Sequence, residues 1–275
     1  MDRRESTYSF TTIQKFNKNM KNIIVMPNFQ EDLTKTQQPF IDNCRKSWMH
    51  WCKKNNCNFL EIDQPITSFD HIPPQAQKMW VYDILEHNEI EFDQAAVVDY
   101  DTFVLPNCPN FFETSRRKFC AVPDNGFGPQ INRLVQLFKN AWYPNSPVTW
   151  DNYFNSGFFV FNKDHKNLFT KCIEFYTKNK SEFAVLNKAD DLNDQTIFNF
   201  VLHDLGHELN ILPRSYNVLD WHCKNFFSNY TDEKGREINA ANNIKDCINI
   251  FHLTGDYEFR NAASDFLLKT FYQNA

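Results

Sequence analysis

Asp99-Tyr100-Asp101 places two carboxylates one residue apart at the end of the apolar run Ala95-Ala-Val-Val98, and no other D-x-D occurs in the chain. In an extended segment alternate residues point the same way, so both carboxylates can face one point. Two hard anionic oxygens at one point suit Mg²⁺ or Mn²⁺, above all when phosphate oxygens complete the shell. The alternative is structural, with Asp99 capping a strand and Asp101 opening a turn before Pro106. His252 ends another apolar run, Asn249-Ile-Phe-His252, three residues ahead of Gly255. It is either a third ligand or a hydrogen-bonded packing residue. Gly255 would let backbone come close to a phosphate.

Two further polar clusters sit beside apolar stretches. Asn155-Ser156-Gly157 precedes Phe158-Phe-Val-Phe161 and reads as a place to recognise a sugar, or as an ordinary turn. Asp191-Leu-Asn-Asp194-Gln195 opens an amphipathic segment, where Asp191 is a helix N-cap or a member of the site. His203 and His207 have i, i+4 spacing without the glutamate of a zinc helix, and they read as helix-end histidines.

The elements that must position these groups follow from periodicity. Asn22–Met26, Asn58–Ile62 and Ala95–Val98 read as buried strands, and residues 36–56 and 75–87 as amphipathic helices between them. Strands alternating with helices imply βαβ units and an α/β fold with a mostly parallel sheet, where ligands bind beyond the carboxyl ends of the strands. Further strands are expected at 118–122, 157–161 and 249–252, and helices at 168–178, 192–205 and 259–272. Residues 1–20 read as a tail or strap and 21–275 as one domain.

Composition narrows the class. With 29 basic and 34 acidic residues among 275, the chain lacks the basic excess of a nucleic-acid binder. No apolar run nears the roughly 20 residues of a membrane span, and the charged N-terminus has no hydrophobic stretch behind it. The eight cysteines form no C-x-x-C pair and read as free, buried thiols. The expectation is a soluble cytoplasmic protein.

Four motifs in order resemble the GT-A glycosyltransferases, specifically the glycogenin-like and the xyloglucan xylosyltransferase/fungal α-galactosyltransferase-like families. They are Val97-Val-Asp-Tyr-Asp101, Phe154-Asn-Ser-Gly-Phe-Phe-Val-Phe161, the D-x-x-D-Q of Asp191 to Gln195, and the H-x-x-G of His252 and Gly255. Ala121-Val-Pro-Asp124 and Leu212-Pro213 followed by Tyr216-Asn217 are smaller echoes. The resemblance covers residues 22–270. It implies a GT-A domain, with a Rossmann-like nucleotide-binding half and an acceptor-binding half. The activity it implies is transfer from a nucleoside diphosphate sugar, a UDP-sugar, to a hydroxyl of a glycan, lipid or protein.

On this resemblance Asp99, Asp101 and His252 hold Mn²⁺ or Mg²⁺. Lys78, Tyr100, Asn155, Ser156, Gly255 and Arg260 line the donor, and Asp191, Asp194 and Gln195 lie at the reaction centre. The family often has a lysine three residues after the motif glycine; here that position is Glu258, and Arg260 is the nearest cation. The resembling families retain anomeric configuration, so retention is expected. One alternative is a haloacid-dehalogenase-like phosphohydrolase with Asp99 as nucleophile and Asp101 as acid/base, disfavoured by Phe103 and by two βα units ahead of the carboxylates. The other is a non-catalytic nucleotide-sugar-binding protein.

Overall fold

The structure is a computed structural model that describes residues 12–13, 17, 19–29, 38–66, 68, 72–124, 128–182, 194–219, 230–231, 237–238, 244–245 and 247–272. Strands β1 (Thr12–Ile13), β2 (Asn22–Pro27), β3 (Asn58–Ile62), β4 (Gln94–Val98), β6 (Phe119–Pro123), β7 (Phe154–Asn162) and β8 (Leu209–Ile211) form the main sheet, ordered β1-β3-β2-β4-β7-β6-β8. β2 runs parallel to β3 and β4, and β6 parallel to β8, while β7 opposes both β4 and β6 and β1 opposes β3. Five strands therefore share one direction. Two residues of the expected tail, Thr12 and Ile13, serve as the edge strand β1.

Strand alternation divides the core between the two faces of the sheet. Ile23, Val25, Ala95, Val97, Phe159 and Phe161 pack on one side. Ile24, Met26, Ala96, Val98, Phe158 and Val160 pack on the other, around Trp48 and Trp51 of helix α1 (Gln38–Asn55). The helix expected over 75–87 is broken into α2 (Pro74–Gln77), a 3₁₀ turn (Lys78–Trp80) and α3 (Val81–His87). That turn lets Lys78 point inward, where an unbroken amphipathic helix would leave a lysine in solvent. Short helix α4 (Phe111–Thr114) precedes β6, and α5 (Gly128–Ala141), α6 (Lys166–Lys178) and α7 (Asp194–Asp204) complete the first layer. Gly206, with φ +68°, follows the end of α7 as a helix-stop glycine should.

A three-stranded sheet joins β5 (Thr102–Val104), β9 (Val218–Leu219) and β12 (Ile250–His252), in the order β5-β12-β9. Strands β10 (Tyr230–Thr231) and β11 (Glu237–Ile238) pair as a separate hairpin. Helix α8 (Tyr257–Phe271), N-capped by the Asp256 side chain on Phe259 N, closes this end against α1 through Ala263 and Leu267. Six cysteines are buried free thiols as expected; Cys247 is exposed, and Cys223 lies outside the described residues.

Candidate active site

The two sheets bring the D-x-D and His252 together by backbone pairing. Asp99 N–H donates to the Gly157 carbonyl at 2.9 Å, which fixes the carboxyl end of β4 against β7. Leu253 N–H donates to the Asp101 carbonyl at 2.8 Å, so β12 sets its terminal His252 beside Asp101. The carboxylates do not converge through an extended segment. Thr102 N–H and Oγ1 both reach the Asp99 carbonyl, at 3.0 and 2.5 Å, and turn residues 99–102 back on themselves. Trp48 Nε1–H holds this turn from below through the Thr102 carbonyl at 3.1 Å. The chain reverses because β5 must leave the main sheet to join β12.

His252 Nε2 lies 3.2 Å from Asp101 Oδ1 and 3.8 Å from Asp99 Oδ2, and the three side chains offer ligand atoms within 4.8 Å of one another. Two carboxylates and an imidazole in this arrangement fit a hard or borderline divalent cation. The other ring nitrogen, Nδ1, sits 3.1 Å from Asn217 Oδ1, a partner that orients the imidazole. His252 lies directly over Gly157, where an added Cβ would come within 2.3 Å of His252 Cε1. Glycine in N-S-G is therefore a clearance requirement, not a turn.

N-S-G is indeed inside β7, not before it. The polar side chains are tolerated within a fully buried strand because each finds a partner. Asn155 Oδ1 accepts from Gly157 N–H at 2.9 Å and from Asn217 Nδ2 at 2.8 Å, and its own Nδ2 donates to Asp124 Oδ2 at 3.3 Å. Ser156 Oγ donates to Asp194 Oδ2 at 2.8 Å, and Ser156 N–H donates to Gln195 Oε1 at 3.1 Å. Gln195 Nε2 donates to Asp124 Oδ2 at 2.8 Å. Asn199, one turn further along α7, exchanges two 2.8 Å bonds with the Phe154 backbone and locks that helix to β7.

Lys78 joins the two halves of the site. Its Nζ is 2.6 Å from Asp99 Oδ1 and 3.5 Å from Asp194 Oδ2, and it donates to the Ser156 carbonyl at 3.1 Å. Burial alone would depress the ammonium, but Asp194 and Asp99 outweigh it and raise its pKa. Burial raises Asp194 above the ordinary carboxylate value, more than Lys78 lowers it. For Asp101 burial pushes up, yet the charges of His252 and Arg260 dominate and the carboxyl is lowered; His252 is raised in return, against its own burial. Arg260 reaches Asp101 Oδ2 at 3.4 Å, with its guanidinium over Phe40 and Tyr257 at 5.4 and 5.6 Å from the ring centroids.

Of the residues singled out in the sequence, Lys78, Asp99, Asp101, Asn155, Ser156, Asp194, Gln195, His252 and Arg260 meet in one polar cluster. Tyr100 is half-buried, with its ring 6.2 Å from that of Phe40. Gly255 has φ +148°, a conformation suited to glycine, in the loop between β12 and α8. Asp191 lies outside the described residues, as do Trp221 and Phe226-Phe227. Glu258 is exposed, and Arg260 is the cation beside Asp101. His203 and His207 are remote, at the far end of α7, where His207 Nε2 pairs with Asn167 Oδ1 at 2.8 Å. Sequence reasoning gave no role to Asp124 and Asn217, although both stand in short motifs that it noted.

A profile of glycosyl transferase family 8 matches residues 13–257. The chain belongs to glycosyl transferase family 8. Membership makes it a glycosyltransferase and sets aside the phosphohydrolase alternative. Among solved structures, the family 8 chain is similar to a glycosyltransferase involved in the glycosylation of the major capsid of PBCV-1, with 12% identity, 90% of this chain and 99% of the other covered, and a TM-score of 0.58. It is also similar to the galactosyltransferase LgtC in complex with donor and acceptor sugar analogues, with 13% identity, coverage of 90% and 94%, and a TM-score of 0.50. The bifunctional glycosyltransferase WbbM matches at 13% identity and a TM-score of 0.52, over 94% of this chain and 50% of that one. These likenesses establish a GT-A fold. A search of curated proteins finds no match.

Proposed function

We propose that the family 8 chain transfers a sugar from a uridine diphosphate sugar to a hydroxyl group of a glycan, lipid or protein, with a divalent cation and with retention of anomeric configuration. The observation that carries this reading is the convergence of Asp99, Asp101 and His252 within 4.8 Å, at the carboxyl end of β4 and next to the buried Lys78–Asp194 pair. Asp99, Asp101 and His252 would hold Mn²⁺ or Mg²⁺, which supplies Lewis-acid neutralisation of the departing diphosphate.

The chain's own residues do the rest. Lys78 is held charged by two carboxylates and can contact the donor without moving far. Arg260 takes the place of the family lysine, with its guanidinium 3.4 Å from Asp101 Oδ2 and able to offer N–H donors to a phosphate oxygen. Tyr100 and Gly255 flank the diphosphate end, and Asn155 and Ser156 the sugar end. Gln195, Asp194 and, on this reading, Asp191 line the reaction centre. Retention follows the resembling families, which retain; Asp194 is held by Ser156 Oγ and Lys78, and Asp124 by Asn155 and Gln195. Positioning of the acceptor hydroxyl supplies several kcal/mol.

Residues 21–275 form the transferase domain on this reading, with 1–20 as a strap, and the protein works in the cytoplasm. Among the described residues no helix is long and apolar enough to cross a membrane. A thermal-shift screen of nucleoside diphosphate sugars with and without Mn²⁺ tests the proposal. Stabilisation by a UDP-sugar only when Mn²⁺ is present is the expected result. Equal stabilisation in EDTA would overturn the metal role, and product of inverted configuration by NMR would overturn retention.

A further inference from the structure

Trp150 is the feature that the donor site does not explain. It is 48% exposed, whereas Trp48 and Trp51 are fully buried. Among the described residues no aromatic ring stacks on it. An indole left half in water on a flexible loop would be unremarkable, but this one is held. Val148 and Tyr153 on either side are buried to within 1%. Thr149 N–H donates to Asn152 Oδ1 at 2.7 Å, Thr149 Oγ1 meets Asp151 Oδ1 at 2.5 Å, and Asn152 Nδ2 donates to the Pro147 carbonyl at 3.2 Å. The turn that displays Trp150 is closed by its own side chains.

Its turn leads into β7, the strand that carries Asn155, Ser156 and Gly157. Tyr153, three residues on and so no more than about 10 Å away along the chain, accepts the Asp124 N–H on its carbonyl at 2.8 Å. Asp124 is the carboxylate that Gln195 and Asn155 hold. Gly128, four residues beyond Asp124, is the residue whose Cβ position lies 3.9 Å from Trp150 Cε3. The turn that carries the indole therefore adjoins the strand end at Asp124, the carboxylate that Gln195 holds. On the glycosyl-transfer reading a diphosphate would lie with the Asp99–Asp101–His252 cluster, and the neighbourhood of Asp124 would be open to the acceptor.

We infer that Trp150 is the platform on which the acceptor stacks, and that the acceptor is a saccharide. The inference rests on the glycosyl-transfer reading above for its direction. Among the described residues the indole is bordered by Thr149, Asp151 and Asn152, which offer no continuous apolar surface for a lipid chain or hydrophobic peptide. A pyranose has an apolar C–H face the size of one ring and an edge of hydroxyls for polar neighbours, the pairing that an amphipathic indole serves.

Wild type, Trp150→Phe and Trp150→Ala, each labelled at its amino groups, are applied to a printed array of defined oligosaccharides with UDP and Mn²⁺. Hydrolysis of the UDP-sugar by water is measured separately. Because Trp150 is exposed, all three should melt alike. The expected result is array binding by wild type and Trp150→Phe, about tenfold weaker binding by Trp150→Ala, and equal donor hydrolysis in all three. Equal array binding by wild type and Trp150→Ala, or binding by none, overturns the platform. If wild type binds saccharides through Trp150 but hydrolyses no donor, the platform stands and the transfer reading falls. Donor hydrolysis without saccharide binding is the reverse.

Discussion

Strand β7 carries a buried polar network at each end, and the two differ in charge. At its beginning, Asn155, Ser156 and Gly157 meet Asp99, Lys78, Asp194 and Asp124, three carboxylates and an ammonium around one crevice. At its end, Asn162 and His165 form a reciprocal cap: the Asn162 side chain accepts from Asp164 N–H at 2.9 Å, and Asn162 N–H donates to His165 Nδ1 at 3.2 Å. Both networks are buried and hydrogen-bonded, so neither property separates a site from a cap. What separates them is like charge brought together at a cost. The cap is neutral and complete, as a structural network should be. The site retains carboxylates that a cation would relieve.

Breaking the charged end should cost function before stability. Asp101→Asn keeps the shape and removes a ligand, and transfer should fall about 10³-fold with little change in melting temperature; loss of folding instead would make Asp101 a structural residue. Lys78→Met leaves Asp99 and Asp194 facing each other without a counter-charge. It should destabilise the fold by about 3 kcal/mol, read by urea unfolding, because one partner of a buried pair is removed.

Subtler changes sharpen the contrast. Gly157→Ala places a methyl where His252 now sits, and Mn²⁺ affinity should drop about 10- to 100-fold while secondary structure by circular dichroism is unchanged. At the neutral end the lever is pH. Burial, with His207 nearby, lowers His165 from 6.5 to about 4. A depressed histidine stabilises the fold fully above the unfolded value of 6.5 and loses that stabilisation as pH falls from there towards 4. Stability should therefore drop by about 2 kcal/mol between pH 7.5 and 5 on this residue's account, and His165→Gln should remove that part of the pH dependence.

The sequence made the strands and the first helices legible because their burial pattern is local: Asn58–Ile62 appears in the structure with the bounds read from periodicity. It could not reveal that β7 enters the sheet antiparallel between β4 and β6. Nor could it reveal that N-S-G lies within β7, since the partners that make polar residues acceptable there come from 31 to 62 positions away. Asp124 and Asn217 went unassigned for the same reason. Each acts by holding another side chain, and the bond from Gln195 to Asp124 spans 71 positions. Only the resemblance puts Lys78 at the donor; the 3₁₀ turn that directs it inward is not visible in the helical periodicity of 75–87.

Isothermal titration of Mn²⁺ and UDP into the wild-type chain and Asp101→Asn tests the central claim most directly. In the wild type, UDP should bind with Mn²⁺ at least about tenfold more tightly than in EDTA, a coupling of about 1.4 kcal/mol, and the variant should lose that coupling while still unfolding cooperatively. UDP binding of equal strength with and without Mn²⁺, or coupling that survives in Asp101→Asn, would contradict the assignment of Asp99, Asp101 and His252 as the cation site.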